Sequence, residues 1–380
     1  MKIYDELDFS RLPGEAHALF EVCGRDSFFN LAGWFRLATE CGFGDACRTG
    51  LAVDEENLVA LPFRRVPQGR NLKSCTSMYS CEFDVLSDQA SASTMREFAR
   101  SFVSAIRPLD SLFIEGMDPT RFNFTALIDG FRASGFVAKP YFGWGTWYES
   151  TSGLDFDRYL AARPSILRNT WKRKHAALAK SSNIAFRSYR GAGDLDPNIV
   201  TYERIREQSW KAAEPLPAFI PALIKFAAGN GALRLGILDI DGEPAAAQFW
   251  IVWAGRATIY KLVYAEKFAA FSPGTLLTMH MMEMILEQDR PVEIDFGRGD
   301  DAYKQMWLSS RRERWGIEAG NPRTWRGFAH ATRLRAALVR DRMKSGAPRS
   351  GTQGRSEVGR VSLVIPYCVA DAFKEAHLPI

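Results

Sequence analysis

A tyrosine and a lysine, Tyr303 and Lys304, stand just past the short apolar alternation VEIDFG, after a turn carrying Asp300 and Asp301. Earlier in the chain, Ser272-Pro273-Gly274-Thr275 opens a helical run a few residues after the strand-like ATIYKLVYA. Serine at the N-cap and proline at the first helical position make an ordinary helix start. Gly274 costs about 1 kcal/mol against alanine there. It fits either a close packing contact or backbone N–H groups that a phosphate can approach without a Cβ in the way. If ATIYKLVYA splays from VEIDFG, its unpaired backbone can take a pantetheine arm as an added strand. Acyl transfer from a thioester to an amine then needs an N–H donor at the acyl oxygen, a neutral aligned amine and a proton for the departing thiolate. Tyr303, a phenol of ordinary pKa ~10, is the candidate proton donor. Lys304 is the candidate for steadying the oxyanion or holding an anionic acceptor, and Asp295, Asp300 and Asp301 are candidate bases.

Each assignment has a plainer counterpart. Tyr303 and Trp307 lie four apart, as two packing residues on one helical face would. Lys304 fits a solvated lysine, and Asp300 and Asp301 fit helix caps. Asp295 alternates with Ile294 and Phe296 and so points to the opposite face. The methionines and His280 of TLLTMHMMEMIL suit a buried helix. Between Arg158 and Arg190 there is no Asp or Glu but there are nine Lys or Arg residues. Within that stretch Arg168, Lys172, Arg173 and Lys174 are the candidate substrate-binding cations, against the reading of a solvated helix face. A second basic stretch, Thr324 to Lys344, has Asp341 as its only acid. The aromatic run Tyr141, Phe142, Trp144, Trp147 and Tyr148 suits a buried strand more than a sugar-stacking surface.

The elements that must position these residues follow from periodicity. The first half predicts a helix near 28–40, strands near 58–64 and 72–86, and a helix near 93–106. A strand at 111–116, a helix after Asp118 and a strand over VAKPYFGWGTWYE follow. The second half predicts a basic helix over 164–181, a strand at 184–189 and helices flanking EPLPAFIP. The meander ALRLGILDI, AAAQFWIVW and ATIYKLVYA comes next, then the helix from Pro273, strand VEIDFG and a helix from Asp301. Hairpins mixed with a crossover indicate an α/β fold. SLFIEGMDPTRFNFTALI parallels VEIDFGRGDDAYKQMWLS, so the chain reads as two tandem lobes, each a mixed, mostly antiparallel sheet flanked by helices. The expected divisions are 1–150, 151–320, a basic helix over 321–344 and a linker and tail over 345–380, whose VSLVIPYCVADAF forms an apolar patch.

Composition sets the outer limits. A length of 380 residues, 46% hydrophobic and 24% charged, suits a globular chain with two cores. The acidic beginning and the lack of a long apolar run predict a cytoplasmic protein, at most touching the inner face of the membrane. Six cysteines without close CxxC pairs and five histidines imply no metal.

With RPSILRNTWKRK, YKLVYAEKFAAFSPGTLL and DFGRGDDAYKQMW in that order, residues 150–318 resemble the acetyltransferase domain of the CelD/FemAB-like branch of the GNAT superfamily. The first half then stands as a second, diverged GNAT-like lobe. SPGTLL stands where such enzymes carry a glycine-rich pyrophosphate loop, here with one glycine and no arginine just ahead. The resemblance implies Leu262 and Val263 along a pantetheine, Ser272, Pro273, Gly274 and Thr275 at the pyrophosphate, and Tyr303 at the thiolate. It also implies acetyl-CoA or another acyl-CoA as co-substrate, and an amine acceptor such as an anionic sugar nucleotide or lipid-linked glycan of envelope or exopolysaccharide synthesis. DNA is not an expected partner. FemAB-like relatives add amino acids from aminoacyl-tRNA to peptidoglycan precursors, which keeps tRNA as an alternative partner. A non-catalytic scaffold touching the membrane through 324–344 is a further alternative.

Overall fold

The computed structural model describes residues 1–345 apart from 44–46, 68–69, 192 and 194. The expected linker, and the tail with its apolar patch, lie outside the described residues. The first half supplies strands β1 (Lys2–Asp5), β2 (Arg48–Asp54), β3 (Val59–Arg65), β4 (Asn71–Ser74), β5 (Leu86–Ser87), β6 (Ser111–Met117) and β7 (Val137–Ser150). Its helices are α1 (Gly14–Asp26), α2 (Ala32–Cys41), α3 (Ala92–Ala105) and α4 (Phe122–Ala133). The second half adds α5 (Phe156–Ala161), α6 (Ser165–Ser181), β8 (Ile184–Tyr189), α7 (Leu195–Glu207) and α8 (Phe219–Gly229). Then follow β9 (Leu233–Ile240), β10 (Glu243–Trp253), β11 (Arg256–Tyr264), α9 (Pro273–Met284), β12 (Glu293–Asp295), β13 (Ser310–Gly320) and α10 (Trp325–Ser345).

The β9–β10–β11 meander follows from its turns. Asp241-Gly242 and Ala254-Gly255 both have φ above zero at each residue, the requirement of the two-residue hairpin turn that matches strand twist. All strands join one mixed sheet in the order β1-β2-β3-β4-β6-β13-β7-β12-β11-β10-β9-β8, with β5 on β3. The order shows an exchange. The last strand of the second half, β13, lies between β6 and β7, and the last strand of the first half, β7, lies beside β12. Each half therefore completes the other's sheet. The two expected lobes are visible as two sets of strands, but one large core runs through both, from Phe20 and Phe63 to Tyr202, Phe249 and Ile317. A second core lies under α5, α6 and α9, around Tyr159, Trp250, Leu277 and Met281.

Two expectations change. No long helix starts at Asp301: the chain makes a short 3-10 turn over Ala302–Met306 and then β13. SRRERWGIEAG did not read as a strand because its alternate positions carry arginines matched to buried carboxylates instead of apolar groups. Nor does one strand fill 72–86. Only β4 and β5 are extended there, and the chain between them crosses to the second half, where Tyr79 stacks on Phe219 at 4.0 Å and Glu82 accepts hydrogen bonds from Arg256 and Arg314.

Candidate active site

The site begins where two parallel strands part. β11 pairs with β12 only from Arg256–Glu293 to Thr258–Asp295. On the opposite side the register with β10 slips between Ile259 and Lys261, leaving Tyr260 as an extra residue. Such a bulge bends a strand away from its neighbour. β12 meanwhile ends at Asp295, and the chain turns off through Gly297 and Gly299, both at positive φ. The two strands part after Thr258–Asp295, which meets the condition set for an open β11 edge. Beyond it the free edge of β11 carries the Leu262 carbonyl, which accepts a hydrogen bond from Lys211 Nζ at 2.6 Å. Strand alternation turns Val263 the other way, and its side chain is buried in the large core. Leu262 thus lies on the open edge and Val263 does not.

The start of α9 faces the same edge. Ser272 adopts a left-handed conformation (φ 56°, ψ 50°) and makes no side-chain cap, unlike the ordinary N-cap expected from sequence. A non-glycine residue held there stores strain. Its carbonyl accepts from Thr275 N and Leu276 N, while the Gly274 N–H has no acceptor among the described residues. A Cβ on Gly274 would come within 3.2 Å of Leu262 Cδ2 and 3.5 Å of Tyr264 Cδ1. The glycine, itself buried, therefore serves close packing of α9 on β11 next to the open edge.

Tyr303, half-buried, lies in the 3-10 turn with its ring edge-on to Phe296 at 6.0 Å. Burial first and the Asp301 carboxylate second raise its pKa, so the phenol stays protonated at neutral pH. Its neighbour is differently placed. Lys304 is 4% exposed. Its ammonium donates to the carbonyls of Arg298 and Gly299, both at 3.1 Å, and pairs with Asp301 at 3.0 Å. These acceptors hold the 296–301 turn together and leave no donor aimed at an acceptor substrate, so Lys304 acts as a brace.

Asp295 points, as its alternation requires, away from Ile294 and Phe296. It is buried, accepting from Gly297 N at 2.9 Å and from Arg312 at 2.9 Å. It belongs to a network spanning both halves, in which Arg312 also holds Glu293, Arg256 holds Glu293 and Glu82, and Arg314 holds Glu82. Burial alone would raise the Glu82 carboxyl; Arg256, Arg314 and the Ser27 hydroxyl bring it down to about 2. These are structural ion pairs, and Asp295 is no free base. Asp300 is likewise paired, with Arg311.

The four cations on α6 do not converge. Lys174 donates to Ala270 O at 2.6 Å, tying α6 to the turn ahead of Ser272. Lys172 and Arg173 are exposed and lack acidic partners among the described residues, and Arg168 is half-buried with its Nε unsatisfied. The aromatic run is mostly covered by the chain's own cations: Arg298 lies 3.8 Å over Trp144 and Arg312 4.5 Å over Tyr148.

Sequence reading missed the cluster that closes the site. The 208–218 loop carries Lys211 and Glu214 to the edge of β11. Glu214 accepts from Tyr79 Oη at 3.0 Å and Lys261 Nζ at 2.8 Å, and Tyr260 Oη donates to the Tyr79 carbonyl at 2.6 Å. Although Lys211 is an exposed residue, its ammonium is drawn in against β11. Crowding by protein atoms and then the charge on Lys261 lower its pKa to about 8, with Asp301 and Lys304 also within electrostatic reach. EPLPAFIP was legible as a break between helices; nothing in its spacing showed which strand it covers.

Residues 165–305 match the family model described as an acetyltransferase (GNAT) domain, so this part of the chain is a GNAT-type acyltransferase domain. No curated protein matches the sequence. Among solved structures the chain is similar to FemX (TM-score 0.56, 10% identity, 83% of this chain and 97% of that one). It is also similar to L-PGS from Bacillus licheniformis (0.53, 12%, 87% and 97%). A third similar structure is the C-terminal domain of a putative lysylphosphatidylglycerol synthetase from Agrobacterium fabrum (0.51, 13%, 86% and 95%). At such identities the likeness is one of fold, and it extends over both halves of the chain.

Proposed function

We propose that this transferase domain moves an acyl group, in the first instance acetyl, from acyl-CoA to an amine, with an amino sugar of envelope or exopolysaccharide synthesis as the acceptor class. The observation that carries the reading is the pairing of an open β11 edge with an uncapped helix start at Gly274. The GNAT match supports acyl-CoA as co-substrate, which supplies an activated thioester. This chain offers the Leu262 edge for amide hydrogen bonding and the Gly274 N–H for an anion. Tyr303 keeps its proton until a thiolate needs it, and Lys211, partly neutral near pH 8, accepts one from an incoming ammonium. Arg298, exposed at the junction of the halves, provides a cation for a phosphate-bearing acceptor.

The test is acyl transfer from acetyl-CoA to a panel of amino sugars and their nucleotides, with Tyr303→Phe beside the parent. Turnover should fall on the order of 10²-fold, the usual scale for a general acid, with acetyl-CoA affinity unchanged. Equal turnover in the two proteins removes Tyr303 from the chemistry.

A second reading takes an aminoacyl ester as donor, with tRNA binding along the unpaired cations of α6. It is favoured by the fold likeness to FemX and to the lysylphosphatidylglycerol synthetases, together with Arg168, Lys172 and Arg173. Salt-dependent tRNA binding with no affinity for any CoA species would select it.

A further inference from the structure

Helix α10 is amphipathic on two sides. Gly327, Ala331 and Leu334 are buried against the sheet, and that accounts for one face. On the opposite side, at 3.6 residues per turn, Trp325, Phe328, Thr332, Ala336, Val339 and Met343 fall within about 40° of one line along the helix. These are open to solvent: Trp325 is 80% exposed, Phe328 55%, Val339 55% and Met343 72%. Thr332 bonds its hydroxyl back to Phe328 O at 2.9 Å, which satisfies its polar atom within the helix. Arginines border the stripe, Arg335 on one side and Arg326, Arg333 and Arg340 on the other. Arg333 pairs with Glu318, while Arg326, Arg335 and Arg340 are exposed and without acidic partners among the described residues. The helix's only acid, Asp341, is paired with Lys139 at 2.8 Å.

We propose that this face of α10 lies on an anionic membrane surface, with the Trp325–Met343 stripe entering the acyl boundary and the arginines reaching the headgroups. An apolar stripe between two cationic borders is what an interfacial helix requires, since long cationic side chains hold their stems along apolar surface and their charge at the phosphate level. Charge decides among the occupants. A second copy would bring arginine borders against arginine borders. The chain after Ser345 has four Lys or Arg residues (Arg349, Arg355, Arg360, Lys374) against three acids (Glu357, Asp371, Glu375), so it offers no net negative charge. Among the described residues no helix is long and apolar enough to cross a membrane, so the contact is one of lying on the surface. It is independent of the acyl-transfer reading.

Flotation of the full chain with phosphatidylcholine vesicles, with and without about 30% phosphatidylglycerol, tests it. The expected result is binding only to the anionic vesicles, weakening as salt rises. Bound protein should fall at least tenfold in Trp325→Ser/Phe328→Ser/Met343→Ser, whose substitutions are all on the exposed face. Arg326→Gln/Arg335→Gln/Arg340→Gln should flatten the salt dependence. Failure of the parent to float, equal binding to neutral vesicles, or unchanged flotation of the apolar triple variant overturns the proposal. So does a dimer in solution that the same triple variant abolishes, which would assign the stripe to a second copy.

Discussion

Each half of the sheet contains one parallel strand pair joined through a crossover helix, β4–α3–β6 in the first and β11–α9–β12 in the second, and each pair holds register for three residues. They differ where the strands part. In the first half the chain closes its own gap: Glu115 N donates to Ser74 Oγ at 3.0 Å, Phe83 N donates to Gly116 O at 3.0 Å, and Trp144 packs on Gly116. Its crossover helix is capped by Ser91, whose Oγ accepts from Thr94 N at 3.1 Å. In the second half the Leu262 carbonyl is met, among the described residues, by the long, displaceable side chain of Lys211, and α9 starts from a strained, uncapped Ser272. One topology thus serves two ends. Where backbone groups satisfy one another the pair is a structural joint; where they are left over, a ligand can use them.

The contrast is broken most severely by filling the open side. Gly274→Trp should reduce acetyl-CoA affinity at least 100-fold, because the new side chain must displace Leu262 or Tyr264 from the edge. Ser93→Trp, at the matching exposed turn of α3, should leave it within twofold. Calorimetric titration of both variants checks the pair, and an equal loss in both would erase the distinction.

The halves depend on each other through Glu82, whose partners Arg256 and Arg314 come from the second half. Its folded pKa of about 2 lies below its ordinary 4.5, so its contribution is complete above about 4.5 and is lost as pH falls through about 2. Removing one partner of such a buried pair costs about 3 kcal/mol. Glu82→Gln should therefore lower stability to urea by that order at pH 7, with the deficit shrinking toward pH 2. A deficit independent of pH contradicts the assignment.

A smaller effect sharpens the picture of the open edge. If Lys211 takes a proton during turnover, the parent's rate rises with pH through about 8, and Lys211→Met loses that rise and on the order of 10²-fold in rate. A pH profile of kcat/KM decides it; retention of the same limb in the variant assigns the titration elsewhere. Smallest are the caps. Ser91→Ala should cost about 1 kcal/mol, as loss of an N-cap does. Ser272→Gly should gain about 1 kcal/mol by releasing the left-handed strain. Equilibrium unfolding of the two measures the difference directly.

Much of the second half was legible because its signals are local. Glycine-bearing turns mark the hairpins, Pro273 marks the start of α9, and apolar alternation marks β11 and β12. From these the order of β11, the α9 start at Pro273 and β12 followed; the splay entered only as a condition, and Tyr303 was expected in a helix that a short 3-10 turn replaces. Contacts between the halves were not legible. Asp295 became a member of an ion network because of residues far along the chain, Lys304 became a brace because the 296–301 turn folds its carbonyls around the ammonium, and the arginines of β13 obscured its strand pattern. Lys211 and Glu214 reach β11 from a loop whose sequence says only that two helices are interrupted.

The claim that one of two related joints is open is tested most directly by the stoichiometry of acetyl-CoA binding to the full chain in a calorimeter. The account predicts one site per chain, abolished by Gly274→Trp and untouched by Ser93→Trp. Two sites per chain, or none in a folded protein, would contradict it.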